Sequence, residues 1–377
     1  MKKFLRRASR GVVIVLLFLA GGEFTSRLDD DIHLGVPFFA SPDNERDLKL
    51  REAWGFRGRP HGLFRKWRLN RFGFRGPEME QQPQVGTTRV LVLGASETFG
   101  LLESQGKEYP AQLRVLLAQH GPYEVINGGV TSLTASAMTP YWQNWAQNFR
   151  PQIVLIYPSP IFYLRDDAPG PLSPPTATEA NGPYGRFQFR LFDRALSLYR
   201  SLPLSIRTLR RQWQLRQHVA GREEAWFFSS VPDERLDLYG QDVKSIVDSI
   251  RQSGSVPVLV THAISAQSPP RAEDQLRLQD MRADFCRPTI EVMAEFEKRA
   301  NALVRDIARR EGVPFIDAAA ELGGQSQLYG DLVHFNDAGA ARLARLLAEG
   351  VLRETAAAAN PTRSTADQDS VNIHPEP

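Results

Sequence analysis

The chain has almost no cysteine. Among 377 residues Cys286 stands alone, which excludes an internal disulfide, and with no Cys/His cluster around it there is no zinc pattern. Phosphate-binding glycine loops of the Walker or dinucleotide type are also missing, so neither nucleotide nor nicotinamide chemistry is signalled. Charge of one sign is scarce as well: 46 basic against 43 acidic residues leave a formal +3, concentrated in the first ten residues and a middle segment, which argues against a nucleic-acid partner. Adjacent Asp166 and Asp167 lack a neighbouring His or third acid and make a poor metal site. No cofactor or metal is implied. What remains, 42% hydrophobic and 24% charged residues, describes one globular domain with additions.

The amino terminus combines Lys2, Lys3, Arg6, Arg7 and Arg10 with an apolar run from Val12 to Ala20. A positive flank before a short apolar stretch has the form of an export signal. The run is shorter than the ~20 residues that span a bilayer comfortably, and Ala20-Gly21-Gly22 is a weak cleavage site. Residues 1–24 are therefore read as an uncleaved membrane anchor, or a signal peptide if cleaved, with everything after about residue 25 extracytoplasmic. Residues 25–87 form an irregular lead-in in which Arg57, Arg59, Arg65, Arg68, Arg71 and Arg75 alternate with Trp54, Phe56, Phe64, Trp67, Phe72 and Phe74. For an exported chain, packing on the next domain fits this interleaving better than RNA binding.

From residue 88 short apolar runs alternate with helical patterns. Strands are expected at 89–93, 124–126, 153–157, 256–260 and 313–316, with helices around 108–119, 133–148, 239–252 and 289–311. Such alternation predicts a parallel sheet with helices on both faces and functional residues at the carboxyl ends of strands. Ser96 falls at the first of those ends. Asp331 and His334, three positions apart in a loop before a helical pattern, supply the orienting acid and base that a serine nucleophile needs. Plainer uses exist for each: Ser96 and Asp331 as helix caps, His262 as a structural histidine after the strand at 256–260, and Asp317 as a cap for the following helix.

Three segments carry a family resemblance. Gly94-Ala95-Ser96-Glu97-Thr98 resembles the first motif block of the SGNH (GDSL-type) hydrolase superfamily, with Ala95 where that family has Asp. Asn127-Gly128-Gly129-Val130 resembles the second block, and Asp331-Leu332-Val333-His334 the final one. The resemblance covers about residues 88–353 and implies a three-layer α/β/α fold with a flavodoxin-like sheet. It also implies a Ser96-His334-Asp331 triad and an oxyanion hole built from the N–H groups of Ser96 and Gly129. The third block departs from the family: Tyr157-Pro158-Ser159-Pro160 stands where an oxyanion asparagine is expected, leaving either the Ser159 hydroxyl as a substitute donor or a hole with only the N–H groups of Ser96 and Gly129.

A long insertion at about 165–236 sets Phe187, Phe189, Leu191, Phe192, Leu196, Leu198, Tyr199 and Leu202 among arginines. It suits a lid, a surface on anionic lipid, or a hairpin packed on the domain. The stretch from 354 reads as a disordered tail. The expected function is a serine esterase or deacylase acting on O-acyl esters, acetyl above all, of an exported carbohydrate or lipid. An O-acyltransferase using the same three residues and a non-catalytic envelope or exopolysaccharide assembly protein are the alternatives. A glycan or small-molecule ester and the membrane are the expected partners; protein partners are not indicated.

Overall fold

Between the amino terminus and residue 359 the computed structural model describes residues 2–34, 36–39, 48–64, 66–165, 189–202 and 204–359. Arg65, the Asp166-Asp167 pair, Phe187 and the stretch from 360 lie outside the described residues.

In chain order the helix α1 (Lys2–Leu34) is followed by four short strands, β1 (Lys49–Glu52), β2 (Gly55–Gly58), β3 (Leu63–Phe64) and β4 (Trp67–Arg68). Then come β5 (Thr88–Gly94), α2 (Ser96–Phe99), α3 (Tyr109–Leu117), β6 (Tyr123–Asn127), α4 (Ala135–Asn144) and β7 (Ile153–Tyr157). Two helices occupy the insertion, α5 (Arg190–Ser201) and α6 (Leu204–Val219). The chain continues through α7 (Asp233–Gln252), β8 (Val256–Val260), α8 (Gln275–Met281), α9 (Ile290–Glu311), β9 (Phe315–Ile316), α10 (Ala318–Leu322) and α11 (Asp337–Ala359). Two compact units result, residues 1–78 with 173–220, and residues 79–172 with 221–377.

In the second unit the expected sheet is present: five parallel strands in the order β6-β5-β7-β8-β9. Numbered along the sheet this is 2-1-3-4-5, the flavodoxin-like order. Strand alternation explains the three layers. Val90, Val92, Leu155 and Val258 point to one face, where they share a core with Leu113 and Leu117 of α3 and Leu343, Leu347 and Val351 of α11. Leu91, Leu93, Val154, Ile156 and Leu259 are fully buried on the opposite face. The helices α4, α7 and α9 pack with one another there.

Element boundaries differ from expectation for local reasons. The helix expected at 133–148 stops at Asn144 and resumes as a short 3₁₀ turn, with Pro140 inside it. The helix expected from 239 begins at Asp233, where Asp233 and Glu234 complement the positive helix end. The last strand shortens to Phe315–Ile316, after Gly312 closes α9 in the left-handed region at φ 58°.

In the first unit the lead-in is more ordered than expected, with β1 pairing β2 and β3 pairing β4 as antiparallel ribbons. The helix α1 runs well past the apolar stretch. Beyond it, Glu23 accepts from the N–H of Leu191 at 2.9 Å, and the buried Arg190 guanidinium donates to the carbonyls of Arg27 and Pro37. Arg194 pairs with Asp30 at 2.7 Å.

Candidate active site

The site grows out of the end of β5. Gly94 and Ala95 turn the chain from strand to helix, and Ser96 is the first residue of α2. A Cβ on Gly94 would lie 1.9 Å from Thr98 Oγ1, so only glycine allows the helix to start this close to the strand. Thr98 is held in turn by a 2.6 Å hydrogen bond with the buried Tyr109 hydroxyl. As the first helical residue, Ser96 keeps a backbone N–H with no intrahelical acceptor.

The other half of the site is the loop before α11. Tyr329 and Phe335 bridge across it, Gly330 N–H donates to the His334 carbonyl at 2.9 Å, and Ser265 N–H donates to the Leu332 carbonyl at 2.8 Å. From α8, Arg277 donates to the carbonyls of Ser326 at 3.1 Å and Asp331 at 2.5 Å. This clamp fixes the Asp331-to-His334 segment. Asp331 Oδ1 accepts the N–H groups of Val333 and His334, while Oδ2 sits 2.7 Å from His334 Nδ1. His334 Nε2 lies 2.8 Å from Ser96 Oγ. The three residues named from the sequence thus form one continuous hydrogen-bonded row across 238 positions of chain.

Electrostatics favour the charged forms. Burial disfavours the imidazolium, yet Asp331, followed by Glu97 and Glu103, outweighs it and raises the His334 pKa to about 9. Burial likewise pushes Asp331 up, and the charge and hydrogen bond of His334 more than reverse this, holding the carboxyl below its usual range.

The expected oxyanion donors are placed differently. Gly129 packs so closely on α2 that a Cβ would lie 2.4 Å from Phe99 N, but its own N–H donates to Asn127 Oδ1 at 3.0 Å. The Ser159 hydroxyl donates to Glu97 Oε1 at 3.1 Å. In this structure both donors are engaged within the protein, Gly129 by Asn127 and Ser159 by Glu97. Of the three, the Ser96 N–H is the donor left open. Asp317 does cap α10, accepting from Ala320 N–H.

His262 stands at a strand end, as a structural histidine would, and makes side-chain contacts on both ring nitrogens. It is fully buried, with Nδ1 2.7 Å from Glu297 Oε1 and Nε2 3.2 Å from Glu97 Oε1. Glu97 in turn reaches Ser96. Sequence reasoning passed over Glu97, Glu297 and Arg277; a carboxylate directly after Ser96 was the available signal for the first.

No family model matches the chain, and no curated protein does. Solved structures do. An acetylxylan esterase from Geobacillus stearothermophilus is 16% identical, with 72% of this chain and 96% of that one covered at a TM-score of 0.41. A GDSL-like lipase from Bacteroides thetaiotaomicron is 13% identical, covering 73% and 93% at 0.41. An α/β hydrolase enzyme from the metagenome of Lake Arreo, Spain, is 16% identical, covering 70% and 94% at 0.41. At such identities and TM-scores the chemistry has to be read from this chain's own side chains.

Proposed function

We propose that the protein is a serine esterase or deacylase that removes O-acyl groups, acetyl first among them, from an exported carbohydrate or lipid. The observation that carries this reading is the row Ser96 Oγ, His334 Nε2, His334 Nδ1, Asp331 Oδ2, with contacts of 2.8 and 2.7 Å. Neutral His334 takes the Ser96 proton as the serine oxygen attacks the ester carbonyl, and Asp331 holds the imidazole in the tautomer whose Nε2 is the acceptor. The imidazolium then protonates the departing alkoxide. Water, activated by the same histidine, releases the acid and restores Ser96; an alcohol in place of water makes the reaction a transfer. The Ser96 N–H supports the oxyanion, and Gly129 joins it only if Asn127 lets go.

The amino-terminal helix fits a membrane-tethered enzyme whose second unit works outside the cytoplasm. Its stretch Ser9–His33 is long and apolar enough to cross a bilayer, a property a cleaved signal sequence shares.

A second reading, a binding or assembly protein that has kept the fold, draws support from the engagement of Gly129 and Ser159 elsewhere. One experiment separates the two. The purified chain is labelled with a fluorophosphonate and assayed on an aryl acetate beside Ser96→Ala. Labelling and turnover that vanish together in the variant are expected; an unlabelled wild type with rates equal to Ser96→Ala would leave the binding role.

A further inference from the structure

Ser96 Oγ has two groups within reach that take a proton. One is His334 Nε2 at 2.8 Å; the other is Glu97 Oε2 at 3.4 Å, to which the hydroxyl donates. Glu97 is 2% exposed and begins a buried row. Its Oε1 is shared by the Ser159 hydroxyl at 3.1 Å and His262 Nε2 at 3.2 Å, and His262 Nδ1 meets Glu297 Oε1 at 2.7 Å. Asn301 clasps the backbone of His262 on both sides, accepting its N–H at 2.8 Å and donating to its carbonyl at 2.7 Å. The same Asn301 amide donates to Glu297 Oε1 at 3.3 Å.

Two carboxylates around one histidine in a fully buried position are not a cheap way to stabilise a fold, since buried ion pairs commonly do no better than apolar side chains of the same size. Their place next to a nucleophile points to a task. We propose that Glu97 is a positioning residue for the Ser96–His334 pair, holding the serine proton in the resting protein, and that the Glu97-His262-Glu297 row fixes the pH at which Ser96 turns to His334. This rests on the reading of Ser96 as nucleophile.

The protons balance as follows. At neutral pH His334 is the imidazolium, its Nε2–H directed at Ser96 Oγ while the serine O–H points to Glu97. When His334 releases its Nε2 proton to solvent, Nε2 becomes an acceptor and the serine O–H swings from Oε2 at 3.4 Å to Nε2 at 2.8 Å. Glu97 takes no proton in this exchange, its carboxyl being held below the usual range. His262, cationic between two carboxylates, keeps it ionised: burial works against the Glu97 charge, and the hydrogen bond and charge of His262 overcome it. The charged groups facing His334 are Asp331 from its own loop, Glu97 from α2 and Glu103 from the segment after α2. Arg277 from α8 touches the loop at the Asp331 carbonyl. Facing Glu97 are His262 and His334, with the Tyr109 and Tyr157 hydroxyls nearby.

The test uses the full chain in detergent, with 15N-histidine labelling to follow the ring nitrogens and the pH dependence of aryl acetate hydrolysis as the second readout. Glu97→Gln is expected to lower the His334 titration midpoint by about one unit, the usual effect of removing one nearby carboxylate. The hydrolysis profile should move with it. In the wild type, the His262 ring should remain doubly protonated at pH 8. An unmoved His334 midpoint in Glu97→Gln overturns the proposal, and so does a neutral His262 in the wild type, which needs no variant to fold. The ring titration does not depend on turnover. A shifted midpoint in a protein that hydrolyses nothing would uphold the coupling and sink the esterase reading; an unshifted one in an active enzyme would do the reverse.

Discussion

Asp331 uses its two oxygens for different tasks. Oδ1 takes the N–H groups of Val333 and His334 and so shapes the loop; Oδ2 takes the imidazole and so aims it. Asp331→Asn keeps the size but presents the wrong groups to Nδ1, and a loss of ~10⁴ in kcat is expected, together with a loss of the stability that the charged His334–Asp331 pair contributes below about pH 9. Because the His334 pKa is raised to about 9, its charged form dominates at neutral pH, and kcat/KM should climb as pH rises through about 9 in the wild type. The linked stability has the opposite slope: the contribution of His334 is complete below its unfolded value near 6.5 and is lost as pH rises through about 9. A pH–rate profile beside thermal melts at pH 6 and 9.5 checks both. Ser159→Ala discriminates another point. A true oxyanion donor would cost roughly 10²–10³ in kcat, whereas a hydroxyl turned to Glu97 should cost less than ~10-fold, and steady-state kinetics reads the difference.

The distribution of these residues along the chain decides what was legible. Asp331 and His334 announce themselves because they are three positions apart in one loop, and Ser96 because it closes an apolar strand. The row behind them is silent in sequence: Glu97 and His262 are 165 positions apart, and His262 and Glu297 are 35 apart on different elements. Only the parallel sheet, which sets the carboxyl ends of β5 and β8 on one side, and α9 packed beside it bring them together. The place of Gly129 is readable from the Asn127-Gly128-Gly129 turn, whereas its hydrogen bond to Asn127 Oδ1 is not.

At the scale of elements, the sheet was the most legible part, because buried parallel strands are written as unbroken apolar runs such as Ile153 to Tyr157. Helix ends are less so: α7 starts at Asp233, six residues before the expected 239, its first turn marked by Asp233 and Glu234 rather than by apolar periodicity. The lead-in ribbons are too short for alternation to show, β3 and β4 having two residues each. The loop before α11 depends on a partner far from it in function, the Arg277 side chain of α8, which ties Ser326 and Asp331 carbonyls to one guanidinium. Arg277→Ala leaves those carbonyls without their charged donor, and about 1–3 kcal/mol of stability should go with them. Since the loop carries both Asp331 and His334, kcat should fall further than KM rises. Denaturant melts and initial rates on the same preparation test it; a variant that loses stability but keeps wild-type kcat would show the clamp to be remote from the chemistry.

For the chain taken entire, the proposed location of the proposed chemistry rests on the amino-terminal helix. The apolar run Val12 to Leu19 is more than half exposed at every position, which a helix in water would not tolerate easily. Its candidate span of 25 residues rises about 37 Å as an α-helix, enough for a ~30 Å hydrocarbon core with some tilt. The five cations before it favour an amino end left in the cytoplasm. The carboxyl-terminal part of that same stretch carries Glu23, which accepts the Leu191 N–H, the Arg27 carbonyl, which accepts from Arg190, and Asp30, which pairs with Arg190 and Arg194 of α5. A segment removed by cleavage near Ala20 would leave that contact almost intact, because Glu23 is the first residue in it. Cleavage and anchoring thus predict the same folded first unit and differ only in partitioning. The full chain should sediment with membranes, resist extraction by high salt or carbonate, and carry residues 1–20 when recovered; removal of residues 2–20 should leave the protein soluble with its aryl acetate turnover unchanged. Recovery of a chain starting near Gly21 from the soluble fraction of cells expressing the full sequence would replace the anchor with a signal peptide, and would leave the triad where it is.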